Sequence, residues 1–251
     1  MSKVTTRLAN QDIVNIARQQ YENKQRSKLP SIIVELPSKG LIYPESSPLR
    51  DGKIEIRYMT AYDEDILTNT SYMQAGIMFD KLLESIVLSP VTVTDIASTD
   101  RDALIIASRI VSYGPEYPVT VLDPKTKTSL EREVDLTKIL HKSFTLTPDI
   151  NGEFDYEFGT NKLKFTYNVR MKDGTTISEL MKFMITEVNG SRIKTDIESF
   201  IRYEFLARGA KQFRDYYIKN APGLDFNYEF EGEDGSTFIT PFPVAADLFW
   251  V

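Results

Sequence analysis

The sequence predicts an α+β protein whose helical N-terminal half packs with antiparallel hairpins, followed by further helices and an extended C-terminal tail. Three observations carry that prediction. Apolar residues recur at helical spacing from 60 to 114 and from 177 to 219, and several of these runs open on Ser/Thr-x-x-Asp/Glu start signals. From 117 to 134 and from 163 to 171 the period drops to two, the mark of half-buried strands. The boundaries fall at Ser89-Pro90, Gly114-Pro115 and Pro222-Gly223, where a regular element cannot continue. The expected segments are 1–29, 30–116, 117–175, 176–222 and 223–251.

Residues 10–26 read as an amphipathic helix, with Ile13, Ile16, Ala17 and Gln20-Tyr21 on one face and Arg18, Glu22 and Lys24 around it. Its apolar face is narrow, so the helix is expected to be loosely held or to order against a partner. A polar linker, Asn23–Lys28, is stopped by Pro30. Two strands follow, Ser31–Leu36 and Lys53–Tyr58, and between them lies Leu36-Pro37-Ser38-Lys39-Gly40-Leu41-Ile42-Tyr43-Pro44. Two prolines and a glycine forbid a regular helix or a central strand there. The segment is therefore expected to be a rigid loop with Gly40 at positive φ, presenting Leu41, Ile42 and Tyr43 as a docking edge.

Thr60-x-x-Asp63 starts a short helix, and a second runs from Ile77 to Val87 with Phe79, Leu82, Leu83 and Ile86 at core spacing. Thr99-x-x-Asp102 opens a helix through Val111 that is apolar on nearly every side and so should be central, with Leu104, Ala107 and Val111 buried beside Leu83 and Ile86. Pro118–Leu122 and Ser129–Val134 form a hairpin around Asp123–Lys127. Phe154–Phe158 pairs through Gly159-Thr160-Asn161 with a strand running from Leu163 to Met171, in which Phe165 and Val169 face the core. Helices return at 177–187 after Thr176-x-x-Glu179, at 196–208 after Thr195-x-x-Glu198, and from Ala210 to about Lys219, with Gly209 as punctuation. The last thirty residues are extended and end on Leu248-Phe249-Trp250. That cluster is expected to fold back near the sheet that holds Phe165, or else to insert into a partner.

Composition narrows the chemistry. With no cysteine, disulfides and thiolate metal sites are excluded, and a reducing compartment suits the chain. Residues 1–60 hold ten Lys/Arg against six Asp/Glu, whereas 221–251 hold six acids and no Lys/Arg. Such asymmetry suits oriented contacts within an assembly. No basic stripe with interleaved aromatics appears, which argues against nucleic-acid binding, and no run reaches the length of a membrane span. His141 is the sole histidine, so His-pair metal sites and most hydrolytic constellations are out of reach. Glu231, Glu233 and Asp234 form an acidic turn without calcium-loop spacing, and Asp63, Glu64 and Asp65 sit where a helix N-terminus favours negative charge. The residues point to no cofactor and no catalytic site.

Leu36–Pro44, then Ile56-Arg57-Tyr58-Met59-Thr60-Ala61, Glu64–Leu67, Asp80–Leu83, Asp100–Ile110 and Tyr113–Tyr117 occur in one order, and the chain closes on Phe249-Trp250. In this the sequence resembles the T4-type phage baseplate-hub proteins. The resemblance is dense from Leu36 to Tyr117, thin over 118–220, and returns at the tail. It implies a non-enzymatic protein acting in assembly of the central hub of a contractile tail. Its place would be the host cytoplasm during assembly or the baseplate of the virion, its partners other hub or tape-measure proteins, with oligomerisation open. A transient chaperone for the tape-measure protein is the alternative within that class, and a cell-wall hydrolase is the alternative outside it. Partner contacts are expected from Pro37, Lys39, Gly40, Leu41, Ile42, Tyr43 and Pro44, from Ile13, Ile16 and Tyr21, and from Phe249 and Trp250. Some proteins of this type carry cysteine pairs, as in a zinc ribbon, where this chain has Val121–Pro124 and Phe230–Glu233, so packing must replace the metal here.

Overall fold

The computed structural model describes residues 28–169, 176–242 and 246–249. The expected N-terminal helix with Ile13, Ile16 and Tyr21 lies outside them, as do Met171 and Trp250. Alternation in the first apolar run produces strand β1, Ser31–Glu35, antiparallel to β2, Lys53–Arg57, with Ile33 opposite Glu55. The even side chains of this ribbon, Val34, Ile54 and Ile56, are buried. Thr60 starts α1, Ala61–Leu67, with its backbone N–H donating to Asp63 Oδ2 at 2.7 Å. Two further helices follow, α2 (Thr70–Gln74) and α3 (Met78–Ile86), the latter burying Leu82, Leu83 and Ile86.

The central helix α4 spans Ser98–Tyr113 and stops at Gly114, whose φ of 92° and N–H bond to the Ile110 carbonyl end it. Leu83, Ile86 and Leu104 are fully buried as expected, whereas Ala107 and Val111 are only half-buried. The helix begins at Ser98 with Ala97 at the cap position, two residues before the predicted Thr99 cap, and Asp100 is drawn into a buried network described below. Thr99 Oγ1 is left buried and without a hydrogen bond among the described residues.

Beyond Gly114 the hairpin of β3 (Glu116–Leu122) and β4 (Ser129–Asp135) forms as the period predicts. His141 stands exposed on a two-residue strand β5, Leu140–His141, rather than at a strand–helix junction. Strands β6 (Glu153–Phe158) and β7 (Asn161–Thr166) pair with Phe154 opposite Phe165, and β7 ends well short of Met171. Tyr167 and Val169 remain buried beyond its end.

The run expected to be one helix over 177–187 splits. α5 covers Ile177–Met184, and the chain then becomes a third strand, β8 (Ile185–Val188), which pairs antiparallel with β7. Burial of Ile185 and Val188 on the sheet outweighs the helical pattern. Thr195 does not cap a helix either: α6, Lys194–Ser199, starts after Ile193 and widens into a π-turn at Phe200–Glu204. The break falls at Phe205-Leu206, where the rings of Phe200 and Phe205 stack at 4.9 Å. Gly209 lies inside α7, Ala207–Asn220, where a Cβ would stand 2.5 Å from the Phe158 ring. α7 covers the three-stranded sheet, with Phe213 5.6 Å and Tyr217 5.7 Å from Phe165. The chain finishes with β9 (Leu224–Asp225) against β5, the hairpin of β10 (Asn227–Glu231) and β11 (Thr237–Pro241), and a 3-10 turn at Ala246–Phe249.

Candidate interaction surfaces

The loop between β1 and β2 is held from inside. Ser38 donates to Asp100 through its backbone N–H at 3.0 Å and through Oγ at 2.6 Å, and Tyr43 OH donates to the same carboxylate at 2.7 Å. Tyr43 OH in turn accepts from the Ala97 N–H at 3.0 Å. Burial raises Asp100 above the ordinary carboxylate range, against the hydrogen bonds from Ser38 and Tyr43 that favour its charged form. Arg50 Nη1 binds the carbonyls of Leu41 and Tyr43 at 3.1 and 2.8 Å.

Gly40 has φ of 77°, as its turn predicts, and Lys39 unexpectedly shares the left-handed region at 53°. The docking edge, however, is corrected by burial. Ile42 and Tyr43 are 0% and 1% exposed, locked into this chain's own core, and Pro37 and Gly40 are buried with them. Only Lys39 is exposed, with Leu41 and Pro44 half-buried. The apolar residues that made the loop look adhesive serve to anchor it.

The tail is the second case. Leu248 and Phe249 are buried in the chain itself, so the fold-back expectation holds for them, but not at the Phe165 sheet. Phe249 lies 6.2 Å from both Phe79 and Tyr113, beside α3 and α4. Its anchor is Arg109, a buried guanidinium on α4 that donates Nε to the Leu248 carbonyl at 2.7 Å and its Nη atoms to the carbonyls of Gly114 and Glu116 at 2.5 and 2.8 Å. An arginine in the middle of an apolar helix was the signal for this contact, since a buried guanidinium requires acceptors.

The tips of the two hairpins also meet. Lys125 forms an ion pair with Asp234, and Arg132 Nε and Nη2 reach the Glu231 carbonyl at 3.0 and 2.7 Å. A Cβ at Gly232 would stand 2.8 Å from Asp123 Oδ2, so the tips pack closely. Charge and backbone contacts thus join these two hairpins. No cluster of metal-ligating side chains occurs among the described residues.

The surface that sequence reasoning missed lies between α5 and α6. A groove of about 430 Å³ is lined by Lys182, Phe183, Arg192, Lys194, Ile197 and Glu198. Phe183 is 61% exposed; Tyr203, 71% exposed, lines an adjoining groove of about 370 Å³ that shares Lys182 and Glu198, and Ile193, 62% exposed, lies in the chain between Arg192 and Lys194. Lys182 pairs with Glu198 at 3.6 Å, and Arg192 with Glu153 and Glu187 at 2.7 and 3.0 Å, so charged pairs ring the apolar centre. Phe183 was the available clue: it falls between Met181 and Met184, both buried, and so must point away from the core. No helix among the described residues is long and apolar enough to cross a membrane.

A family model described as "T4 bacteriophage base plate protein" matches residues 29–235. No curated protein and no solved structure matches.

Proposed function

The chain belongs to the T4 bacteriophage base plate protein family, and on that premise we propose that it acts in assembly of the central hub of a contractile tail through protein–protein contacts. The observation that carries this reading is the exposed apolar set at the α5–α6 groove. Phe183 and Tyr203, exposed in two adjoining grooves that share the Lys182–Glu198 ion pair, have the anatomy of an interface: apolar side chains with a polar border. Lys39, Leu41 and Pro44 of the β1–β2 loop contribute a second, smaller contact in this reading. The partners are hub or tape-measure chains, and the activity is binding rather than catalysis.

The double variant Phe183→Asp/Tyr203→Asp tests it in the phage. Both side chains are exposed, so the purified variant keeps its melting temperature while the yield of complete tails falls. A normal yield of complete tails overturns the reading. Mass spectrometry of purified particles beside infected-cell lysate then separates the two roles. Presence in particles identifies a hub subunit, whereas abundance in lysate with absence from particles identifies a chaperone.

A further inference from the structure

Strand β1 has a free backbone edge that faces an apolar groove. Leu36 N–H donates to the Gly52 carbonyl at 2.8 Å and Tyr58 N–H to the Pro30 carbonyl at 2.9 Å. Because hydrogen-bonded pairs alternate in an antiparallel ladder, the even residues of β1 face β2 and the amides and carbonyls of Ser31, Ile33 and Glu35 point outward. On β2 the corresponding outward groups are covered: Glu55 N–H donates to Ser89 Oγ at 2.8 Å, and its carbonyl accepts from Leu88 N–H at 2.9 Å. On β1 they meet no backbone group among the described residues. A groove of about 400 Å³ is lined by Val34 and Glu35 of this strand, by Ile106 and Ile110 of α4, and by His141 and Leu224 of the β5–β9 pair.

We infer that β1 and this groove receive an extended segment of a partner protein, added as a third strand to the β1–β2 ribbon. The unpaired main-chain groups decide what kind of occupant fits. A helix satisfies its own amides and would leave the edge unpaired, whereas a strand completes it. Side chains of the added strand alternate between the α4 floor and the outer face, where Ile33 is 67% exposed. The segment is therefore apolar at every second position, and beside Glu35 it is uncharged or basic. This inference rests on the binding role proposed above, but its test does not depend on the phage.

Amide hydrogen exchange of the full chain is measured with and without a peptide that alternates valine and threonine between terminal lysines. In the free chain the Ile33 amide exchanges fast and the Val34 amide slowly. Peptide at roughly millimolar concentration slows Ile33 by about tenfold or more, as its population of the paired state requires. The same peptide N-methylated at alternate residues, so that it cannot donate along one edge, has no effect. Ile33→Pro, which removes only an outward N–H and is tolerated on an edge strand, abolishes the binding, read at the outward Glu35 amide, while Ile33→Thr keeps it. Three results would overturn the inference: a Ile33 amide protected in the free chain at every concentration, which assigns the edge to the chain's own residues; protection that rises with protein concentration, which assigns it to a second copy; or no response to the peptide.

Discussion

Single residues decide whether the β1–β2 loop closes. At Gly40 an added Cβ would stand 2.2 Å from the Arg50 carbonyl oxygen, in a backbone region that branched residues resist. Gly40→Val is expected to cost at least about 3 kcal/mol or prevent folding, whereas Lys39→Gly, which relieves a positive φ on an exposed residue, is neutral or slightly stabilising. Thermal denaturation of the two variants checks both. The glycine was legible from the sequence because Pro37 and Pro44 bound its loop. The lysine was not, since nothing local marks a left-handed lysine. Asp63 sets a pH dependence. Burial alone would raise its pKa, but bonds from Arg57, Ser85 and Thr60 outweigh burial and hold it below the ordinary value. Its carboxylate therefore contributes stability that is present above the ordinary carboxylate range and lost as pH falls through the depressed folded value. Melting temperature followed from about pH 7 to pH 2 should fall on the acid side in the parent, and Asp63→Asn, already weaker at neutral pH, should show a flatter acid limb.

At the scale of elements, α4 is the member whose loss the others feel most. Leu104 is fully buried, and Leu104→Ala is expected to cost roughly 2–5 kcal/mol, read as a shifted denaturant midpoint at unchanged slope. This helix, the two early strands and both hairpins were legible because their apolar periods are long and bounded by Gly or Pro. The segment 185–208 was not. Ile185–Val188 continues a helical pattern, yet it becomes a strand because β7 presents Leu163 and Phe165 for it to cover. Thr195 has the spacing of a cap, but the helix starts two residues earlier, with Ile193 at the cap position and no side-chain cap bond, while Ser191 Oγ donates to the Asp196 carboxylate of the first turn at 2.6 Å. Such choices are made by distant neighbours, and a local window holds no record of them.

At the scale of the whole molecule, the tail is held by α4 across 139 positions of sequence, from Arg109 to Leu248. Deleting Leu248–Val251 removes the buried Leu248 and Phe249 and leaves a guanidinium short of an acceptor, so the melting temperature should drop by several degrees, about 2–4 °C for each kcal/mol lost. An unchanged melting temperature would show that the tail is not part of the core. The sequence made a docked aromatic ending legible, but not its berth: Arg109 inside an apolar helix signals a guanidinium in need of acceptors without saying which carbonyls supply them. The same link has a consequence during synthesis. Domains generally begin to fold from the N-terminal side while the ribosome is still working. Until Leu248 and Phe249 have left the ribosome, the nascent chain holds Arg109 without the Leu248 carbonyl and leaves a slot open between α3 and α4. Closure around α4 thus waits on a segment made 139 residues later, and a product cut short before it carries that slot exposed, in the form that quality-control proteases remove.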